Sequence, residues 1–193
     1  EIDLNNISNN NIKEDINSFN SELEYETFLQ LKGLESIINN NNKITFTEDE
    51  INKVITYNII ANSNLNILTE ETIKDYQIIV LSPYLIFNND NIYIHIPIKF
   101  GKDNNYFKTS INAQVTLTKS NNDLIINLNK KFLGNMDLTD DLLSYLINNI
   151  NEDNITLSQI KLENFYTNLQ QPLINFTNIT LNNNMLEFNY EIE

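Results

Sequence analysis

Two hydrophobic periods divide the chain. From Ser21 to Ile59 apolar residues recur at every third or fourth position, and from about Asp75 they recur at every second. The stretch "SELEYETFLQLKGLESII" (21–38) predicts a helix whose apolar stripe is Leu23, Phe28, Leu31, Leu34, Ile37 and Ile38. Ser21 with Glu24 fits a capping box, in which hydroxyl and carboxylate satisfy each other's free backbone N–H groups. "NNNN" at 39–42 ends this helix, because Asn tolerates the left-handed exit. Ile44 and Phe46 mark a short extended entry to a second helix over 47–61. There Thr47 and Glu50 form another capping box, and Glu48, Asp49 and Glu50 occupy the first turn, where the helix dipole favours negative charge. The stripe of this helix is Ile51, Val54, Ile55 and Ile59.

The period-two region reads as four strand-like runs: "YQIIVLSPYLIF", "NIYIHIPIKF", "YFKTSINAQVTLTK" and "DLIINLNKKFLG". In the second, Ile92, Ile94, Ile96 and Ile98 share one parity, opposite Tyr93, His95, Pro97 and Lys99. The third continues that face with Ile111, Ala113, Val115 and Leu117, and the fourth with Leu124, Ile126 and Leu128. Breaks at 88–91, 101–105 and 120–123 are too short for parallel crossovers, so the runs predict an antiparallel meander. A third helix follows over 139–150, capped by Thr139, with Leu142, Leu143, Leu146, Ile147 and Ile150 on its apolar side. Strands return at 155–169, 173–181 and 185–193, with "NNN" at 182–184 as a hairpin turn. The expected fold class is α+β: a long curved antiparallel β-sheet, meander plus C-terminal strands, packed on about three helices. Residues 1–20 read as a flexible polar tether and 21–193 as one domain.

Composition narrows the function classes. The 193 residues carry a net charge of −14, and all twelve basic side chains are lysines. A phosphate backbone would be repelled, so no nucleic-acid partner is expected. Direct adhesion to an anionic bilayer is disfavoured for the same reason. Cys is absent, which removes disulfides, thiolate metal sites and cysteine nucleophiles. No apolar run reaches the roughly 18 residues that span a membrane. Asn is very common, as codon usage in an AT-rich genome would make it, and the four Asn-x-Ser/Thr triplets are expected by chance at that frequency.

Candidate chemistry is sparse. His95 is the single histidine; it sits on the polar parity of its strand and is expected to be half exposed. The carboxylates at 48–50 and at Asp137, Asp140 and Asp141 fall at predicted helix starts, where capping explains them. The three glycines are too scattered for a phosphate loop or a nucleophile elbow. No enzyme activity, metal or cofactor is expected.

The order of elements nevertheless resembles a known family. A helix with an acidic start ("FTEDEINKVITYNI"), a run of long strands, Leu133-Gly134 before a Leu-rich helix, and closing strands ending in "ITLNNNMLEFNYEI" resemble the YpmS family of Gram-positive bacteria over residues 44–193. The resemblance implies an extracytoplasmic protein held at the cell membrane by one N-terminal anchor, with no known enzyme activity; secretion is the alternative. It would account for the absence of a starting Met and for the tether-like first twenty residues. At the level of fold alone, long strands wrapping a helix also resemble tubular lipid-binding modules. The functional expectation is therefore a lipid or other apolar ligand held between sheet and helices, lined by Ile92, Ile94, Ile96, Ile98, Ile111, Val115, Leu117, Leu143 and Ile147. The alternative is an interaction or scaffold module with a filled core and a protein partner in the envelope.

Overall fold

The computed structural model of the protein describes residues 17–61, 70–73, 76–103, 105–120, 123–134, 136–137, 139, 154–157 and 174–192. The fold is α+β. In chain order its elements are α1 (Glu22–Asn39), β1 (Lys43–Phe46), α2 (Glu48–Ala61), β2 (Glu70–Ile73), β3 (Tyr76–Val80), β4 (Tyr84–Asn88), β5 (Asn91–Lys102), β6 (Asn105–Ser120), β7 (Asp123–Leu133), β8 (Met136–Asp137), β9 (Asn154–Leu157), β10 (Ile174–Asn182) and β11 (Met185–Ile192). The third expected helix, with Leu143 and Ile147, lies outside the described residues.

The predicted meander is the larger sheet. Its strands run in the order β2-β3-β5-β6-β7-β8, with β4 also on β5 and β9 also on β7, every pairing antiparallel. The run "YQIIVLSPYLIF" is two strands rather than one. β3 and β4 lie end to end along the same edge of β5, and residues 81–83 between them oppose only two residues of β5. Pro97 explains the break. Its carbonyl accepts from Leu81 N–H at 2.9 Å, so its ring nitrogen faces the same edge, where the bulge makes a ladder donor unnecessary. β2, in the polar "EETI", has no hydrophobic alternation to announce it.

The C-terminal hairpin does not extend this sheet. β10 and β11 pair with β1 in a second sheet of order β1-β11-β10. The short entry strand thus meets the far end of the chain, burying Ile44 and Phe46 against Leu186 and Phe188. α1 packs on β1, α2 packs on β4, β1 and β11, and β10 approaches β6. One hydrophobic cluster results, joining both helices and both sheets.

Asn supplies the left-handed backbone that a glycine-poor chain needs. Asn40, Asn42, Asn89, Asp90, Asp103, Asn183 and Asn184 all have positive φ, and they lie at the exit of α1 and in the hairpin turns. An Asx side chain bears this conformation better than other L-residues do. The abundant Asn is therefore structurally used at these positions.

Candidate interaction surface

The isoleucine face is core. Ile92, Ile94, Ile96, Ile98, Ile111, Val115 and Leu117 are all 8% exposed or less, and protein atoms alone cover them. They belong to the same cluster as Leu29, Ile51, Val54, Ile55, Phe46 and Phe188. Of the nine residues expected to line a ligand groove, these seven come together on one sheet face; Leu143 and Ile147 lie outside the described residues.

The other face of the sheet is also closed at its centre, which corrects the half-exposed reading of His95. The imidazole is 0% exposed, in a row that runs Tyr84–His95–Asn112 across three strands. Its ring lies 4.9 Å from that of Tyr84, centroid to centroid. Tyr93, Ser110 and Asn112 beside it are buried too. Neither ring nitrogen makes a well-formed hydrogen bond among the described residues, and the neighbouring Asn112 amide offsets the effect of burial only in part. Burial pushes the imidazole down to about 4, so it is neutral at physiological pH. Alternation alone missed this, because a polar parity is solvent-facing only when one side of a sheet is open.

α2 behaves as its pattern predicts. Ile51, Val54, Ile55 and Ile59 are buried. Its capping box is complete: Thr47 N–H donates to Glu50 Oε2 at 2.8 Å, and Glu50 N–H to Thr47 Oγ1 at 3.2 Å. Two polar side chains on α2 close the free edge of β4. Asn52 donates to the Leu85 carbonyl at 2.8 Å and accepts from Leu85 N–H at 2.6 Å, while Glu48 accepts from Phe87 N–H at 2.7 Å. An edge strand that would otherwise offer free backbone groups is thereby sealed.

α1 is the departure. The stripe read from its sequence does not face the core. The buried line is Tyr25, Leu29, Gly33 and Ser36, whereas Leu23 (73%), Leu31 (59%), Leu34, Ile37 and Ile38 (72%) are exposed and Phe28 is half-buried. The orientation is set by specific contacts. Phe19, Tyr25, Phe28 and Tyr57 form an aromatic knot between the start of α1 and α2, with Tyr25 and Tyr57 stacked at 4.5 Å. Lys53 lies over the Phe19 ring, and Asn58 of α2 donates to the Tyr25 hydroxyl at 3.0 Å. Phe19 thus anchors the chain inside the stretch expected to be a tether. Farther along, Lys32 bridges to Glu50 at 2.7 Å. At the C-terminal end Ser36 Oγ lies 2.8 Å from the Tyr190 hydroxyl and donates to the Lys43 carbonyl.

These contacts hold the side of the helix that carries Tyr25, Leu29, Gly33 and Ser36 against the protein, which leaves the aliphatic side outward. A signal for this was present in the i, i+4 line Tyr25–Leu29–Gly33. The stripe reading outweighed it because hydrophobicity alone ranked the other side higher.

At 100° per residue the exposed aliphatics span about 120° of the helix. Glu24 and Glu35 border that arc on one side, and Glu22 and Glu26 on the other. Glu22, Glu26 and Glu35 are exposed, while Glu24 is half-buried and held by Asn20 and Lys53. Thr27 and Gln30 fall inside the same arc, so the surface is an apolar stripe interrupted between Leu23 and Leu31, with glutamates as rails on both borders.

Among the described residues no three His, Cys, Asp or Glu side chains converge as a metal site, and no helix is long and apolar enough to cross a membrane. No family model, curated protein or solved structure matches the chain.

Proposed function

We propose that this protein is a non-enzymatic, extracytoplasmic envelope module that works by docking a protein partner on the outward face of α1. One observation carries the reading: five large aliphatic side chains of a single helix face solvent while the core beside them is closed. Clustered apolar surface of this kind, with charge at its borders, marks interaction sites more than scattered exposed residues do. A lipid between sheet and helices is the weaker reading, since it would have to displace Ile92–Ile98 side chains that already pack on protein. The sealed, neutral His95 likewise supports a structural rather than catalytic use of the lone histidine. Placement outside the cytoplasm, with an N-terminal membrane anchor, rests on the resemblance to the YpmS family.

A photo-crosslinking residue at position 31 of the full chain, in the native host, tests the proposal. A discrete protein adduct that is absent when the crosslinker sits at exposed Thr116 is the expected result. An exchangeable lipid seen by native mass spectrometry of the purified chain, with no adduct from position 31, would overturn it.

A further inference from the structure

The proposed function leaves the partner's chemistry open, and the rails of α1 narrow it. We infer that the stripe Leu23–Leu31–Leu34–Ile37–Ile38, set between Glu22 and Glu26 on one edge and Glu35 on the other, receives an amphipathic helix with Lys or Arg along both of its edges. This rests on the reading that α1 is the docking face.

The length of the stripe matches such an occupant. From Leu23 to Ile38 it runs about 22 Å at 1.5 Å per residue, or roughly four turns. A helix laid along it places its own apolar residues at i, i+3, i+4 and i+7, the spacing of helix-in-groove recognition. Basic residues on its flanks then meet the carboxylates on both rails. The three exposed glutamates that form the rails give no reward to a neutral or acidic partner.

Charge also weighs against the nearer candidates. A second copy docking α1 on α1 in antiparallel fashion, with Leu23 opposite Ile38, sets like border beside like border, so Glu35 of each copy comes beside Glu24 of the other. Like charges at those positions oppose the pairing. Two segments of this chain outside the described residues, 1–16 and 140–153, fit no better. Residues 1–16 carry Glu1, Asp3, Glu14 and Asp15 against Lys13, and residues 140–153 carry Asp140, Asp141, Glu152 and Asp153 with no lysine. An anionic bilayer meets the same acidic rails.

The test uses the full chain and a synthetic helix of about 18 residues, with Leu on one face and Lys along both edges. A matched peptide with Glu in the Lys positions serves as control. Fluorescence anisotropy should show saturable one-to-one binding of the Lys peptide, weakening as salt rises, and none of the Glu peptide. Leu31→Asp with Leu34→Asp should weaken it by about thirtyfold, as truncation of a central anchor does. Glu22→Gln, Glu26→Gln and Glu35→Gln together should weaken it several-fold and flatten the salt dependence, leaving thermal unfolding unchanged. Equal binding of both peptides, or Lys-peptide binding indifferent to these variants, would overturn the inference. A concentration-dependent dimer abolished by Leu31→Asp would assign the face to a second copy instead. Binding to neutral phosphatidylcholine vesicles abolished by Leu31→Asp would assign it to lipid. A protein adduct at position 31 combined with no peptide binding would sink the basic-helix inference and leave the docking function standing. Absence of both would remove the two together.

Discussion

α1 and α2 start from the same kind of sequence and end in opposite roles. Each opens on a Ser or Thr cap with a glutamate three residues on, and each carries a run of aliphatics at helical spacing. α2 turns its aliphatics inward and uses Asn52 and Glu48 to seal β4. α1 turns Tyr25, Leu29, Gly33 and Ser36 inward and leaves its aliphatics in solvent. The hydrophobic pattern of a helix identifies an apolar stripe. Which stripe is covered depends on what lies beside it, and a stripe left over is available for another molecule.

The sharpest way to break this comparison is to truncate matched residues. Ile55→Ala on α2 should cost about 2–5 kcal/mol, the range for emptying a closed core site. Leu31→Ala on α1 should stay within about 0.5 kcal/mol, as for an exposed position. Urea unfolding reads both; similar losses would mean that α1 is covered in solution.

The closed second face of the sheet extends the same contrast and makes its own prediction. The folded protein holds His95 near 4, below the roughly 6.5 of an unfolded chain. Above about pH 6.5 the imidazole is neutral in both states and its contribution is whole. As pH falls, the unfolded chain takes up a proton that the folded one refuses, so stability drops and the loss levels off below about 4. The size of that loss is about 3 kcal/mol. His95→Gln should remove this component from the stability–pH profile, leaving the carboxylate part. A profile unchanged by the substitution would show that the site admits water.

Smaller effects separate the helices further. Asn52→Ala should cost about 2 kcal/mol, because it strands the buried N–H and C=O of Leu85. It should also increase aggregation, measured by light scattering, by opening the β4 edge. Thr47→Ala should cost about 1 kcal/mol by removing a complete capping box. Ser21→Ala should cost less than Thr47→Ala, because Ser21 accepts from Glu24 N–H at 3.2 Å while the Glu24 carboxylate serves Asn20 N–H instead of its own cap. Equal losses in thermal unfolding would remove that distinction.

Much of the fold was legible in local pattern. The meander follows from alternation and short breaks, the starts of both helices from their caps, the end of α1 from its Asn exit, and the inward stripe of α2 from its spacing. These are properties of a few neighbouring residues, and the chain states them directly. The candidate surface was legible only in composition: Leu31, Leu34 and Ile38 were readable as apolar, but not as exposed.

The remainder was decided by contacts far apart along the chain. Ser36 meets Tyr190, 154 residues away, and that seam helps set which side of α1 faces inward. β1 finds β11 rather than the meander, which places the C-terminal hairpin in a second sheet. His95 is sealed because its sheet is closed on both faces at that point, whereas alternation on one strand assumes a single closed face. Periodicity specifies that a face must be buried or used. Tertiary packing selects which one, because several elements compete for a limited interior and the best-fitting surfaces, rather than the most hydrophobic, occupy it.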